Sequence, residues 1–286
     1  MRFIAIIALA AAFAACGSPA ANDTPKNSNA ANAAPSPSIA PEFRAKAETV
    51  TIDSSDGVKL VGSLYKAQRP NSPALLLLHQ WTANRHTYDE FAERMNLHGY
   101  AVLSIDGRGF GESVKKADGS DVKVDLNKGA DPKALLSDVN AAVEFLSHQA
   151  NVDPKKIGLV GASYGSSIAI MYAGDHPDIA AVVLLSPGLD YFDNLPTEPA
   201  IKKYGSRPIL LVAAEDDKDS AADTRKLKEV SGNANAEMMI YAEGGHGTFI
   251  FAHKDADNNA AKPLADLMQK FLDKSLKVSE TGDADK

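Results

Sequence analysis

Gly161-Ala162-Ser163-Tyr164-Gly165 sets a serine between two glycines, with an apolar run at 157–160 before it and another at 167–171 after it. A serine hydroxyl is a weak nucleophile until a base takes its proton. A tight strand-to-helix turn holds the serine clear of the sheet, and glycines are needed where a side chain would collide with that turn. The helix that follows offers free N–H groups and a partial positive charge where an oxyanion forms. Gly-x-Ser-x-Gly alone is a weak signal, because glycine and serine also fill ordinary turns. Flanked by strand and helix patterns, it predicts Ser163 as a nucleophile.

Such a serine needs a base, and the base needs an orienting acid. After a strand-like run at 208–214 comes Glu215-Asp216-Asp217, and after another at 237–241 comes Glu243-Gly244-Gly245-His246-Gly247-Thr248. A lone loop histidine is ordinarily a solvated surface residue. His246 is preferred because it stands third, after a nucleophile and a strand-end acid, in the order Ser…Asp/Glu…His. His98 and His148 sit in helical patterns, His176 precedes Pro177, and His86 and His253 have no strand-end setting. Asp216 and Asp217 both remain candidates for the acid, which fixes the imidazole tautomer and stabilises the imidazolium. Glu215 reads as a solvated charge.

These motifs resemble those of the α/β-hydrolase superfamily, in a dienelactone-hydrolase-like or esterase-like form with a small lid. Ala214-Glu215-Asp216-Asp217 is similar to the Gly-x-x-Asp turn that carries the family's acid, which favours Asp217. The segment 74–78 with His79-Gln80-Trp81 resembles the first parallel strand running into a His-Gly-x oxyanion loop, with Gln80 in place of the glycine. The resemblance implies that the N–H groups of Trp81 and Tyr164 hold the oxyanion, with Gln80 as the alternative to Trp81. Simple loop packing is the competing reading of Trp81. Asp106-Gly107-Arg108-Gly109-Phe110-Gly111-Glu112-Ser113 is similar to a family loop that is architectural. It is no dinucleotide fingerprint, because Glu112 stands where the third glycine falls.

The elements that must position these residues are legible as alternating patterns. Segments 48–53 and 58–65 flank Ser55-Asp56-Gly57 and predict an antiparallel hairpin. Strands are expected near 75–79, 100–105, 156–160, 180–185, 208–214 and 236–241. Helices are expected near 87–98, 132–149, 164–174, 221–231 and 261–275. Continuous apolar strands alternating with amphipathic helices predict an α/β class: a doubly wound, mainly parallel sheet covered by helices on both faces. Ligands of such sheets bind at the carboxyl ends of the strands. Between 187 and 207 the chain is short and rich in Pro, Gly and Asp, and predicts a loop with at most one helical turn rather than an independent cap.

The chain has 286 residues, a formal net charge of −7 and one cysteine, Cys16. Residues 1–15 carry Arg2 and then an apolar run too short to span a bilayer, the pattern of an export signal. Phe13-Ala14-Ala15-Cys16 resembles the bacterial lipobox, which implies lipid attachment at Cys16, a membrane anchor and placement in the cell envelope. Ordinary secretion with a free thiol is the alternative. Residues 16–46, rich in Ala, Asn, Pro and Ser, predict a disordered tether. A single hydrolase domain is expected over 47–277, with a flexible tail over 278–286. Scattered acidic residues and no basic stripe argue against nucleic acid as a partner. No metal-ligand or nucleotide-phosphate motif is present, so neither metal nor cofactor is expected. The expected function is a serine hydrolase of carboxylic esters. The alternatives are a peptidase or thioesterase of the same fold, or a tethered binding protein without activity.

Overall fold

The computed structural model describes residues 46–252 and 263–277. The expected leader, the anchor at Cys16, nearly all of the tether and the tail at 278–286 lie outside the described residues. Two antiparallel strands come first, β1 (Glu48–Asp53) and β2 (Val58–Tyr65). Then follow β3 (Ser72–Leu78), α1 (Asp89–Leu97), β4 (Ala101–Ile105), the short β5 (Lys115–Lys116), α2 (Pro132–Ser147) and β6 (Val152–Ala162). After these come α3 (Tyr164–Asp175), β7 (Ile179–Leu185), a two-stranded hairpin of β8 (Asp190–Tyr191) and β9 (Leu195–Pro196), and α4 (Thr197–Tyr204). The last elements are β10 (Ile209–Ala214), α5 (Lys218–Ser231), β11 (Ala236–Tyr241) and α6 (Leu264–Leu276).

The main sheet runs β1-β2-β4-β3-β6-β7-β10-β11, with β5 paired to β2 and every neighbouring pair from β4 to β11 parallel. Its middle strands are apolar throughout because both faces are covered. In β3, Leu75 and Leu77 pack with Tyr88, Phe91 and Met95 around α1 and with Met268, Phe271 and Leu272 of α6. Leu76 and Leu78 point to the other face, with Val139 and Val143 of α2 and Ile168 of α3. Each such leucine, fully withdrawn from water, contributes roughly 1.5–3 kcal/mol. The α/β class, the parallel sheet and the amino-terminal hairpin are therefore as the sequence predicts.

Helix boundaries follow local chemistry. The Asp131 carboxylate accepts from the Lys133 N–H, and Pro132 occupies the first helical position, so α2 starts there. The segment 187–207 departs from expectation: it builds the β8–β9 hairpin and the eight-residue α4, not a loop with one turn. Leu195, Ile201 and Tyr204 bury themselves against α3, and tertiary burial, not local composition, makes this segment regular. No helix among the described residues is long and apolar enough to cross a membrane.

Candidate active site

The chain leaves β3 to build β4 on one side and returns to build β6 on the other, so the strand order switches between β3 and β6. The two strands end level, with Leu78 opposite Gly161. The loop 79–81 and the turn at Ser163 therefore meet at the crevice where such sheets bind ligands.

Ser163 has φ 51° and ψ −121°, in the left-handed half of backbone space that a non-glycine residue rarely enters. The turn is tight on both sides. A Cβ on Gly161 would fall on the Gly165 carbonyl, and one on Gly165 would fall on the Leu78 and His79 carbonyls. The sequence spacing thus reflects close backbone approach, and it lifts the Ser163 hydroxyl out of the strand end.

That hydroxyl lies 2.6 Å from His246 Nε2, and His246 Nδ1 lies 2.6 Å from Asp217 Oδ2. A carboxylate only accepts, so Nδ1 carries the proton and Nε2 is free to accept from Ser163. Ser220 Oγ stands 3.4 Å from Nδ1. Burial pushes the Asp217 carboxyl up, but hydrogen bonds from His246 and Ser220 outweigh it and hold its pKa below the ordinary aspartate value. Asp217 is therefore ionised at neutral pH and suited to stabilising an imidazolium.

Asp216 faces elsewhere. Its carboxylate accepts from the Gly245 N–H at 3.1 Å and the Gly244 N–H at 3.2 Å, pinning the loop that carries His246. Glu215 pairs with Arg225 at the surface, where the sequence suggests a free solvated charge. Of the three acids, only Asp217 touches the imidazole.

The N–H groups of Trp81 and Tyr164 donate to no acceptor among the described residues, while neighbouring amides are used: Ser163 N–H bonds to Leu185 O at 2.7 Å. Two free N–H groups near a serine hydroxyl are suited to receive a negatively charged oxygen. The Trp81 peptide is also held in place. His79 Nδ1 donates to the Gln80 carbonyl at 2.7 Å and its Nε2 accepts from Gly107 N–H at 2.8 Å. Because the Gln80 carbonyl and the Trp81 N–H share one peptide plane, that bond fixes where the N–H points. His79 uses both ring nitrogens as a neutral imidazole, and burial lowers its pKa.

Gln80 works through its side chain. Oε1 accepts from Thr248 N–H at 2.7 Å and Thr248 Oγ at 3.0 Å, tying the loop after β3 to the 3-10 turn Gly247–Ala252 that follows His246. A Cβ on Gly247 would fall on that Oε1, which explains the glycine after the histidine. Ser186, with φ 46°, accepts from the Gly247 N–H at 2.8 Å and closes the same loop. Sequence reasoning placed His79 in the loop before Trp81 without a role of its own, and gave no role to Ser186, Ser220 or Thr248.

Two buried ion-pair groups bolt the loop after β4. Arg85 pairs with Asp106, and Arg108 bonds Asp138 at 2.6 Å and Asp56 at 2.7 Å. Among the described residues no group of His, Cys, Asp and Glu could hold a metal ion.

Comparison with known proteins agrees with this architecture. An uncharacterized protein of Mycobacterium tuberculosis is 26% identical over 240 residues, covering 78% of each chain. The thiohydrolase aneE of Aspergillus aculeatus is 32% identical over 133 residues, 46% of this chain and 39% of that protein. The structure of the Pyrococcus furiosus esterase Pf2001 superposes with a TM-score of 0.64 at 19% identity, covering 81% of this chain and 91% of the other. Residues 60–276, well over half of the chain, match the dienelactone hydrolase family. This hydrolase, with its parallel sheet and strand-end crevice, belongs to the dienelactone hydrolase family.

Proposed function

We propose that the protein is a serine hydrolase that cleaves carboxylic esters through an acyl-enzyme. The observation that carries this reading is the unbroken line from Ser163 Oγ through His246 to Asp217, set on a strained turn beside two unpaired N–H groups. Ser163 Oγ attacks the acyl carbon as its proton passes to His246 Nε2, and Asp217 stabilises the imidazolium. The negative carbonyl oxygen is held by Trp81 and Tyr164 N–H. His246 then protonates the leaving oxygen, the alcohol departs, and Ser163 is left acylated. Water, deprotonated by His246, attacks the acyl-enzyme and releases the acid.

Thioester hydrolysis is the second reading, favoured by the similarity to the thiohydrolase aneE. It uses the same steps with a thiolate as leaving group. The test is a panel of esters, thioesters and amides with the same acyl group, run on the protein and on Ser163→Ala. Serine-dependent turnover of esters supports the reading, turnover of thioesters alone selects the second, and equal rates in the variant reject both. The run 1–15 before Cys16 supports export and lipid anchoring of the same enzyme. An unmodified Cys16 in the intact mass of natively produced protein contradicts that anchor.

A further inference from the structure

Three segments far apart in the chain bring aromatic rings to Trp81. Its ring lies 4.8 Å from Phe110, 4.6 Å from Tyr164 and 4.8 Å from Phe192, each crossing at an edge or tilt. Such geometry is favourable between aromatic quadrupoles. The rings do not form a sealed core: Tyr164 is buried, whereas Trp81, Phe110 and Phe192 keep partial exposure. Two of them, Trp81 and Tyr164, belong to the residues whose N–H groups flank Ser163.

Phe192 reaches this position at a conformational cost. The turn between β8 and β9 places Phe192 at φ 60° and Asp193 at φ 55°. A hairpin turn with two left-handed residues ordinarily uses Asn and Gly, because a bulky side chain is strained there. Here the strained residue is a phenylalanine whose ring meets Trp81 and Tyr164, and Gly129 lies so close to it that a Cβ there would fall on the ring. Residue strain of this kind concentrates at functional sites.

The direction of the chemistry decides what faces the rings. His246 must protonate the leaving oxygen, so the alcohol lies beside His246. The carbonyl oxygen lies at the Trp81 and Tyr164 N–H groups. The acyl substituent takes the remaining direction from Ser163. Behind Phe110 and Tyr164 is a mostly apolar cavity of about 40 Å³, bounded by Leu78, Leu135 and Ile168. That admits no more than about three waters, too little for an extended alkyl chain. Asp138, the carboxylate that lines this cavity, is already paired with Arg108 and so offers no unpaired charge to a cationic group.

We propose that Trp81, Phe110, Tyr164 and Phe192 form a neutral aromatic wall that binds the acyl part of aryl-acyl esters or thioesters, such as arylacetic derivatives. This rests on the serine-hydrolase reading above and names its substrate class. A flat ring lies against the wall, edge or face to Trp81, and short straight chains gain less contact.

The test compares 4-nitrophenyl phenylacetate with 4-nitrophenyl butyrate and octanoate, so that the leaving group is constant. The expected result is a higher kcat/KM for the phenylacetate than for either alkyl ester. Phe192→Ala should lower the phenylacetate-to-butyrate ratio on the order of two- to ten-fold, the effect of one lost ring contact, and Phe192→Tyr should preserve it. Should Phe192→Ala fail to fold, Phe110→Leu reads the same ratio. Trp81 is the one tryptophan of the chain, so phenylacetate should change its emission where butyrate does not. An unchanged ratio in a folded variant, or a preference for octanoate, overturns the wall while leaving Ser163-dependent turnover intact. Equal turnover by Ser163→Ala instead rejects the underlying reading.

Discussion

Asp216 and Asp217 are neighbours with different tasks, and single substitutions separate them. Asp217→Asn keeps the shape but presents an amide to His246 Nδ1, so the wrong tautomer is favoured and kcat should fall by on the order of 10⁴. Asp216→Asn retains an acceptor for the Gly244 and Gly245 N–H groups and should cost less than about ten-fold, since a neutral acceptor still makes a bond of roughly 1 kcal/mol. Steady-state kinetics on 4-nitrophenyl acetate checks both, and the reverse order would assign the acid to Asp216. Motif and order single out Ser163 and His246 in the sequence, while the two aspartates are separated only by the resemblance of Ala214-Glu215-Asp216-Asp217 to the family's Gly-x-x-Asp turn, which favours Asp217. Which carboxylate faces the histidine depends on the backbone path after β10, and adjacent identical residues carry no record of it. His79 was legible as part of an oxyanion loop but not as the residue that orients Trp81, because its second partner, Gly107, comes from the loop after β4. Its burial has a pH consequence. The folded ring has a pKa below the ordinary 6.5, so as pH falls past that value the unfolded chain takes up a proton that the folded chain refuses. Stability from this ring is present above pH 6.5 and lost below it, at up to about 1.4 kcal/mol per pH unit. Urea melts at pH 7.5 and 5.5 should show a smaller pH difference in His79→Gln than in the wild type; an equal difference would remove His79 from the account.

The elements were read correctly where burial is two-sided and periodic, as in β3, β4, β6 and β10, whose apolar runs leave little choice of structure. They were misread at 187–207, where proline, glycine and aspartate suggested a loop. Asp190 Oδ1 accepts from the Leu195 N–H at 2.6 Å and stabilises the hairpin turn, while Thr197 bonds back to the Gly188 carbonyl. These local bonds make turn-forming residues serve a small ordered cap. Two loops of the site are coupled in a way that no single-segment pattern reveals. Gln80, the departure from the family's usual glycine, supplies the acceptor that holds Thr248 and so the turn behind His246. Gln80→Ala leaves the buried Thr248 N–H and hydroxyl without that partner, at a cost of roughly 1–3 kcal/mol. The expected outcome is a lower denaturation midpoint together with a fall in kcat that exceeds the change in KM. Unaltered stability would show that the clamp carries no weight.

At the scale of the whole molecule, the hydrolase reading depends on four strand ends brought level across the sheet. β3 supplies Trp81, β6 Ser163, β10 Asp217 and β11 His246, and the parallel order places β6, β7, β10 and β11 side by side. That long-range arrangement follows from the parallel topology, so alternation of strands and helices was enough to foresee it. The cluster of aromatic rings was not foreseeable, since Trp81, Phe110, Tyr164 and Phe192 meet only in three dimensions. A fold of this kind can also carry a protein that binds without turning over. The distinction rests on whether Ser163 is an activated nucleophile. Labelling with a fluorophosphonate, read by intact mass and peptide mapping, measures this without any assumption about substrate. The account predicts one adduct on Ser163, formed at neutral pH, slowed by His246→Ala and absent in Ser163→Ala. A folded protein that stays unlabelled, or takes the label at another residue, would contradict it.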